Sequence, residues 1–196
     1  MDFLVYSRTA RAGVDSKDDP KLDEQHWSYM DGFAEGMTAR GPTLGTDRER
    51  WTGSLHVVDL PGAEAAREFI AREPYNQAGL FEEHFIWRFA NVLGRTMWQF
   101  AGAADEPQFL VLAHAAENPP KDASPVPVAD LPPQLRERLI VYGELRNLDD
   151  EEPAGVALAL QAPTREAVDA LLGDGRAGLT VYGDVGIHDW EFGGRR

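Results

Sequence analysis

The chain repeats itself once, half against half, and no other feature constrains its fold as strongly. Phe3-Leu4-Val5 returns as Phe109-Leu110-Val111. At a constant offset of 102 residues Gly41 matches Gly143, Gly53 matches Gly155 and Pro61 matches Pro163. Glu64 and Ala65 match Glu166 and Ala167 at the same offset, and after one extra residue Trp87 and Phe89 match Trp190 and Phe192. Turn-forming and apolar residues in the same order over so long a span indicate two copies of one folding unit. A long period with only two copies argues for a duplicated domain, because a solenoid needs at least about three short repeats. The expected organisation is a first unit over residues 1–100, a linker over 101–107 and a degenerate second unit over 108–196.

Hydrophobic periodicity gives each unit the order βαββαβ. In the first, Phe3–Thr9 is apolar and β-prone and predicts a strand, and the charged stretch Arg11–Asp23 predicts a loop. Trp27, Met30 and Ala34 recur at helical spacing, so a helix is expected over Glu24–Gly36, with Gly36 as its C-cap. Met37–Leu44, interrupted at Gly41-Pro42, and Thr52–Leu60 follow as strands. Pro61-Gly62 introduces a helix over Ala63–Glu73, which Pro74 ends because the residue before proline is pushed out of the α region. Phe81–Phe89 is the fourth strand, extended through Met97–Phe100. The second unit repeats this with Phe109–Ala115, a short helix over Pro132–Leu139 after the Pro-rich loop Pro119–Pro133, Ile140–Arg146, Gly155–Gln161, a helix over Thr164–Leu172, and Val185–Phe192. Such a unit is an α+β, ferredoxin-like fold with helices on one face of an antiparallel sheet. Two copies can close their open faces against each other.

Composition excludes several classes of partner. The net charge of −14 and the lack of any basic run longer than Arg48-Glu49-Arg50 argue against nucleic acid and against an anionic membrane surface. No cysteine is present, so disulfides, thiolate catalysis and Cys-ligated metals are ruled out. Phe3-Leu4-Val5-Tyr6 is only strand-length and no 18-residue apolar run occurs, which leads to the expectation of a soluble, cytoplasmic protein. His-Glu-x-x-His, P-loop, dinucleotide and nucleophile-elbow patterns are all missing, so neither metal nor cofactor is expected.

One run of residues carries a family resemblance: Thr52-Gly53-Ser54-Leu55, Ala65-Ala66-Arg67-Glu68-Phe69, Glu73-Pro74-Tyr75 and Ala78-Gly79-Leu80-Phe81, preceded by His26-Trp27-Ser28-Tyr29 and Gly41-Pro42. Over roughly residues 1–90 the chain resembles the YciI-like (YCII-related) family. The resemblance implies a dimeric α+β barrel, normally built from two chains and here fused into one pseudo-dimeric polypeptide. It also implies a histidine–aspartate acid–base pair, and for some members lyase activity on chlorinated hydroxyaromatic compounds. Glu73 stands where the family usually has Asp, and Val128 where the second half would need a counterpart of His26. One site at most is therefore expected.

The candidate catalytic residues are His26 and Glu73. His26 lies beside the apolar stripe of its predicted helix, where a neutral imidazole can move protons near neutral pH. The alternative is a histidine that merely packs at a helix edge. Glu73, seven residues after Ala66, is expected on the buried side of the second helix at its last turn, where desolvation and the helix C-terminus would favour a protonated carboxyl. An exposed residue in a frayed turn is the alternative. Tyr75 could orient a ligand toward the same region or simply pack. Ser54 and His56 share one sheet face, as do His84 and Arg88. If those faces line the barrel they give a polar ligand cavity, and if they face solvent they mean nothing. Their counterparts, Val156 and Leu158, are apolar. The expected function is a lyase or isomerase using cofactor-free acid–base chemistry on a hydroxyaromatic or lactone-like small molecule. A non-catalytic binding or structural protein is the alternative, and cofactor-free oxygenation a third reading. Either a monomeric pseudo-dimer or a homodimer is compatible with the sequence.

Overall fold

A computed structural model of the chain describes residues 1–10, 19–114, 125–149, 151–173, 179 and 185–193. Eight strands, all paired antiparallel, close into one barrel in the order β1-β3-β2-β8-β5-β7-β6-β4. They are β1 (Asp2–Thr9), β2 (Met37–Leu44), β3 (Trp51–Asp59), β4 (Phe81–Asn91), β5 (Gln108–His114), β6 (Leu139–Arg146), β7 (Pro153–Gln161) and β8 (Val185–Trp190). Helices α1 (Pro20–Asp31), α2 (Ala63–Ala71) and α3 (Pro74–Gln77) belong to the first half, and α4 (Pro133–Arg138) and α5 (Arg165–Leu172) to the second. The halves contribute sheets of the same order, β4-β1-β3-β2 and β8-β5-β7-β6. The fold is thus the expected mixed α+β barrel. Among the described residues no helix is long and apolar enough to cross a membrane.

Alternation along the strands divides the core into layers. Leu4, Tyr6, Leu55, Val57, Trp87 and Phe89 point inward and meet Leu110, Leu112, Leu145, Ala157, Ala159 and Trp190 of the other half in one interior cluster. The outer face of each sheet is buried under that half's own helices. Phe3, Val5, Val58, Phe69 and Ile70 form the outer cluster of the first half, and Phe109, Val111, Leu158, Val168 and Leu172 that of the second.

The two sheets join at two seams, β2 with β8 (Thr43↔Trp190) and β4 with β6 (Asn91↔Gly143). One glycine pair of the repeat, Gly41 and Gly143, lies at these joins. A Cβ on Gly41 would collide with the Glu191 carbonyl, and one on Gly143 with the Phe89 ring and the Ala90 carbonyl. Pro42, expected to interrupt β2, is tolerated within it. The strand is the edge of its own half-sheet, where a missing N–H disrupts least, and the Pro42 carbonyl accepts the Glu191 N–H at 3.2 Å.

Local chemistry moved several expected boundaries. The first helix starts at Pro20, because Asp19 caps it by accepting the N–H groups of Lys21 and Leu22 and Pro20 is preorganised for its first turn. It ends at Asp31 with Gly32, not Gly36, as its C-cap, and Ala34–Gly36 forms a separate 3₁₀ turn. Residues 11–18 of the expected loop, 119–124 of the Pro-rich loop and Ala115 of the fifth strand lie outside the described residues. Met97–Gln99, expected as a strand extension, is a 3₁₀ turn whose Met97 enters the barrel interior. Residues 101–107 contain no helix or strand.

Replacing Gly143 by alanine forces a methyl group into the β4–β6 seam and is expected to lower stability by about 1–3 kcal/mol. A fall in the urea midpoint with an unchanged slope would show this.

Candidate functional site

A cavity of about 290 Å³ opens between the helical layer of the first half and the outer face of β2 and β3. It lies at the lower end of the ~300–1,000 Å³ range of small-molecule sites. Asp23, His26 and Trp27 of α1, Arg40 to Pro42 of β2, Trp51, Ser54 and His56 of β3 and Tyr75 of α3 line it, and Glu191 and Gly193 close it from the second half.

His26 is delivered by the buried side of α1, which it shares with Met30. Its Nδ1 lies 2.7 Å from Glu73 Oε1, and the two side chains are 8% and 0% exposed. Glu73 reaches this position through the proline that follows it. Pro74 holds Glu73 extended (ψ 125°), ending α2 at Ala71, and then opens α3 with Glu73 as its N-cap. The carboxylate therefore sits at the start of a helix, contrary to its expected place at the end of one. Its Oε2 accepts the Asn76 N–H at 2.8 Å. Hydrogen bonding is satisfied throughout when His26 donates Nδ1–H to Glu73, which leaves Nε2 as the ring nitrogen available to the cavity. Glu73 does not line the cavity and stands behind the imidazole.

Tyr75 stacks flat on His26, with centroids 4.1 Å apart and planes at 13°. Its hydroxyl donates to Asp23 Oδ1 at 2.8 Å, and burial together with this carboxylate raises its pKa far above the ordinary phenol value. The tyrosine thus clamps the face of the imidazole.

Ser54 and His56 face neither the barrel interior nor solvent. They point into the helical layer, because the apolar Leu55 and Val57 claim the interior. His56 is fully buried directly opposite Arg40 on the neighbouring strand. Burial, and then the neighbouring His26 and Arg40, push its pKa down to about 3, so it is a neutral imidazole. Its Nδ1 is buried with no hydrogen-bond partner. Arg40 lies 6.0 Å from the rings of both Trp27 and Trp98, and its Nε donates to the Gly193 carbonyl at 3.2 Å.

His84 and Arg88, grouped with the ligand-facing candidates from the sequence, do not line this cavity. His84 is held at both ring nitrogens, by Ser7 Oγ at 3.0 Å and Asn76 Oδ1 at 2.8 Å, so it braces α3 from below. Arg88 runs to the other seam, where it donates to the Leu148 carbonyl and pairs with Glu151. The sequence reading also passed over Arg40, Asp23, Trp51 and the Glu191–Gly193 segment. Asp23 lies one turn before His26 on α1, in a stretch expected to be a loop, whereas Arg40 and the Glu191–Gly193 segment are brought in by strand register and closure, which leave no local signal. Among the described residues no group of three or more His, Asp or Glu side chains could hold a metal ion.

The second half keeps the backbone but not the polarity. Tyr142 pairs with Leu158 where Arg40 pairs with His56, and both join an apolar cluster with Val156, with Val128 packed against it.

Residues 1–90 match the model of the YCII-related domain. The first half of this chain is a YCII-related domain. No curated protein matches the chain. Among solved structures, a candidate chlorite dismutase, TA0507, aligns over 97% of this chain and 95% of its own at 12% identity and a TM-score of 0.54. A candidate monooxygenase from Lactobacillus acidophilus NCFM aligns over 97% and 92% at 10% identity and a TM-score of 0.51. These two share the dimeric α+β barrel fold across both halves. The 5-chloro-2-hydroxyhydroquinone dehydrochlorinase from Burkholderia phenoliruptrix AC1100, in complex with 2,5-dihydroxybenzoquinone, is 24% identical over 46% of this chain and 95% of its own, with a TM-score of 0.42.

Two outcomes follow for the YCII-related domain. Glu73→Ala strands His26 and uncaps α3, with an expected loss of about 3 kcal/mol, and Glu73→Gln, which can still accept a hydrogen bond, should lose less. Denaturant titration of both variants checks this order. The second outcome concerns acid. The unfolded chain protonates His56 at its ordinary value near 6.5, whereas the folded chain refuses the proton until about 3. His188, held down to about 4 mainly by burial, and His84, also lowered by burial, act in the same direction. Stability is therefore full above about pH 6.5 and falls as pH drops toward 5, before carboxylates titrate. His56→Gln should flatten that slope in urea midpoints measured across the window.

Proposed function

We propose that this chain is a small-molecule enzyme of the lyase or isomerase type, in which His26 abstracts a proton and returns it. One observation carries the reading: an imidazole in the cavity wall whose far nitrogen is held by a fully buried carboxylate. A carboxylate in that position fixes the tautomer and ring orientation and stabilises the imidazolium that forms when Nε2 takes a proton. Glu73 is thus a positioning residue and not the acid that meets the substrate. The protonated His26 is itself the acid. It delivers the proton either to a second atom of the same molecule, giving an isomer, or to a departing group, giving elimination. Tyr75 keeps the ring plane fixed through both steps, and Ser54 and His56 offer polar contacts to the bound molecule. The resemblance to YCII-related proteins supports a hydroxyaromatic or lactone-like substrate.

The test is solvent deuterium incorporation, followed by NMR, for a panel of hydroxyaromatic acids and lactones. Wild type is expected to exchange at least one of them, with His26→Gln slower by about 10²-fold or more and Glu73→Gln in between. Exchange that survives unchanged in a folded His26→Gln protein would overturn the proposal. Ligand binding without exchange or turnover would leave a binding module.

A further inference from the structure

We infer that the cavity of the YCII-related half takes a small planar carboxylate, bound carboxylate-first between Arg40 and His56. The inference rests on the cavity being the substrate site proposed above, and it adds the substrate's charge and direction of entry.

Charge is layered across the cavity. Arg40 and His56, each 3% exposed, occupy the floor as direct cross-strand partners. The acidic groups of the cavity lie closer to solvent and are engaged or exposed. Asp23 accepts the Tyr75 hydroxyl, Glu191 lies 3.5 Å from Arg48, and Glu49 is exposed. Arg48 itself is drawn off to Asp189 at 2.6 Å. A ligand therefore meets negative charge at the rim and a buried guanidinium at the floor. Arg40 is also held in place before a ligand arrives. The Gly193 carbonyl takes its Nε, the Gly193 N–H returns to the Arg40 carbonyl at 2.9 Å, and two indoles flank the guanidinium. A guanidinium fork fixed in this way suits the two oxygens of a carboxylate.

His56 supplies the second, independent observation. Its buried Nδ1 has no hydrogen-bond partner, and such a group in a folded protein calls for an explanation. A neutral imidazole can donate to the same carboxylate without adding charge. The dyad uses neither residue, since His26 is committed to Glu73. Trp27, Trp51 and Tyr75 line the cavity above the floor, and an aromatic lining suits a planar body. The net charge of −14 means that the overall field does not favour anions, so a carboxylate preference must come from local groups.

The experiment is isothermal titration of the full chain with three charge pairs of equal shape: benzoate and benzamide, salicylate and salicylamide, 4-hydroxybenzoate and 4-hydroxybenzamide. Wild type is expected to bind at least one carboxylate roughly tenfold more tightly than its amide. Arg40→Gln should abolish that preference and Arg40→Lys should weaken it, whereas Arg88→Gln, remote from the cavity, should keep it. Thermal melts establish folding, and if Arg40→Gln does not fold, Arg40→Lys carries the test. No carboxylate preference in wild type, no binding of any of the six, or a preference retained in the arginine variants would each overturn the inference. His26→Gln separates the two proposals. A carboxylate preference that persists there while no substrate exchanges deuterium keeps the anion site and removes the catalytic reading. His26-dependent exchange without a carboxylate preference does the reverse.

Discussion

Each four-stranded sheet in this protein has two apolar faces and only enough helix to cover one of them. A sheet left so would expose a broad apolar patch and two open edges, and both promote association. Closing one sheet on the other removes both problems at once. The inner faces merge into a single cluster drawn from both halves, and the free edges pair at the β2–β8 and β4–β6 seams. Everything else follows from this closure. Glycine is required at 41 and 143 because the chains approach too closely there for a side chain. The barrel interior is filled by side chains, so a ligand site has to lie outside it, between a sheet and its helices.

That location explains how residues distant in the chain become one site. His26 and Glu73 come from different helices, Arg40 and His56 from neighbouring strands, and Gly193 from beyond the last strand of the other half. Burial makes their pairing obligatory. A carboxylate with no exposure has to be hydrogen-bonded or neutralised, and Glu73 is satisfied by His26 on one oxygen and by a backbone N–H on the other. The same low-polarity surroundings, with two basic neighbours, keep His56 uncharged. The space between this sheet and its helices thus brings an oriented imidazole, a neutral imidazole and a fixed cation to one small cavity.

The two halves show how little of this belongs to the fold. Their strands run in the same order, and the repeat offset carries into register, with Arg40↔His56 in one and Tyr142↔Leu158 in the other. Exchanging one charged and one polar pair member for apolar ones converts a cavity wall into packed core. The chemistry depends on the side chains placed on the scaffold and not on the scaffold.

The sequence by itself determined the architecture. Alternating strands, helical stripes and the spacing of Gly41, Gly53, Gly143 and Gly155 are local signals, and a period of two or 3.6 can be read without coordinates. It also pointed to His26, Glu73, Ser54, His56 and Tyr75, which the structure gathers in or directly behind one cavity. Period-two alternation says which residues share a face but not what that face meets. Only closure of the barrel turned Ser54 and His56 toward the helices and sent Arg88 to a seam. The proline rule correctly ended α2 before Pro74 but left Glu73 in its last turn, whereas α2 stops at Ala71 and the turn that follows makes Glu73 the beginning of the next helix. Arg40 was invisible for a related reason. Its place opposite His56 is a matter of register, and its fixed pose depends on a glycine 153 residues away. Such long-range placements are set by how surfaces bury one another, and no local pattern in the chain encodes them.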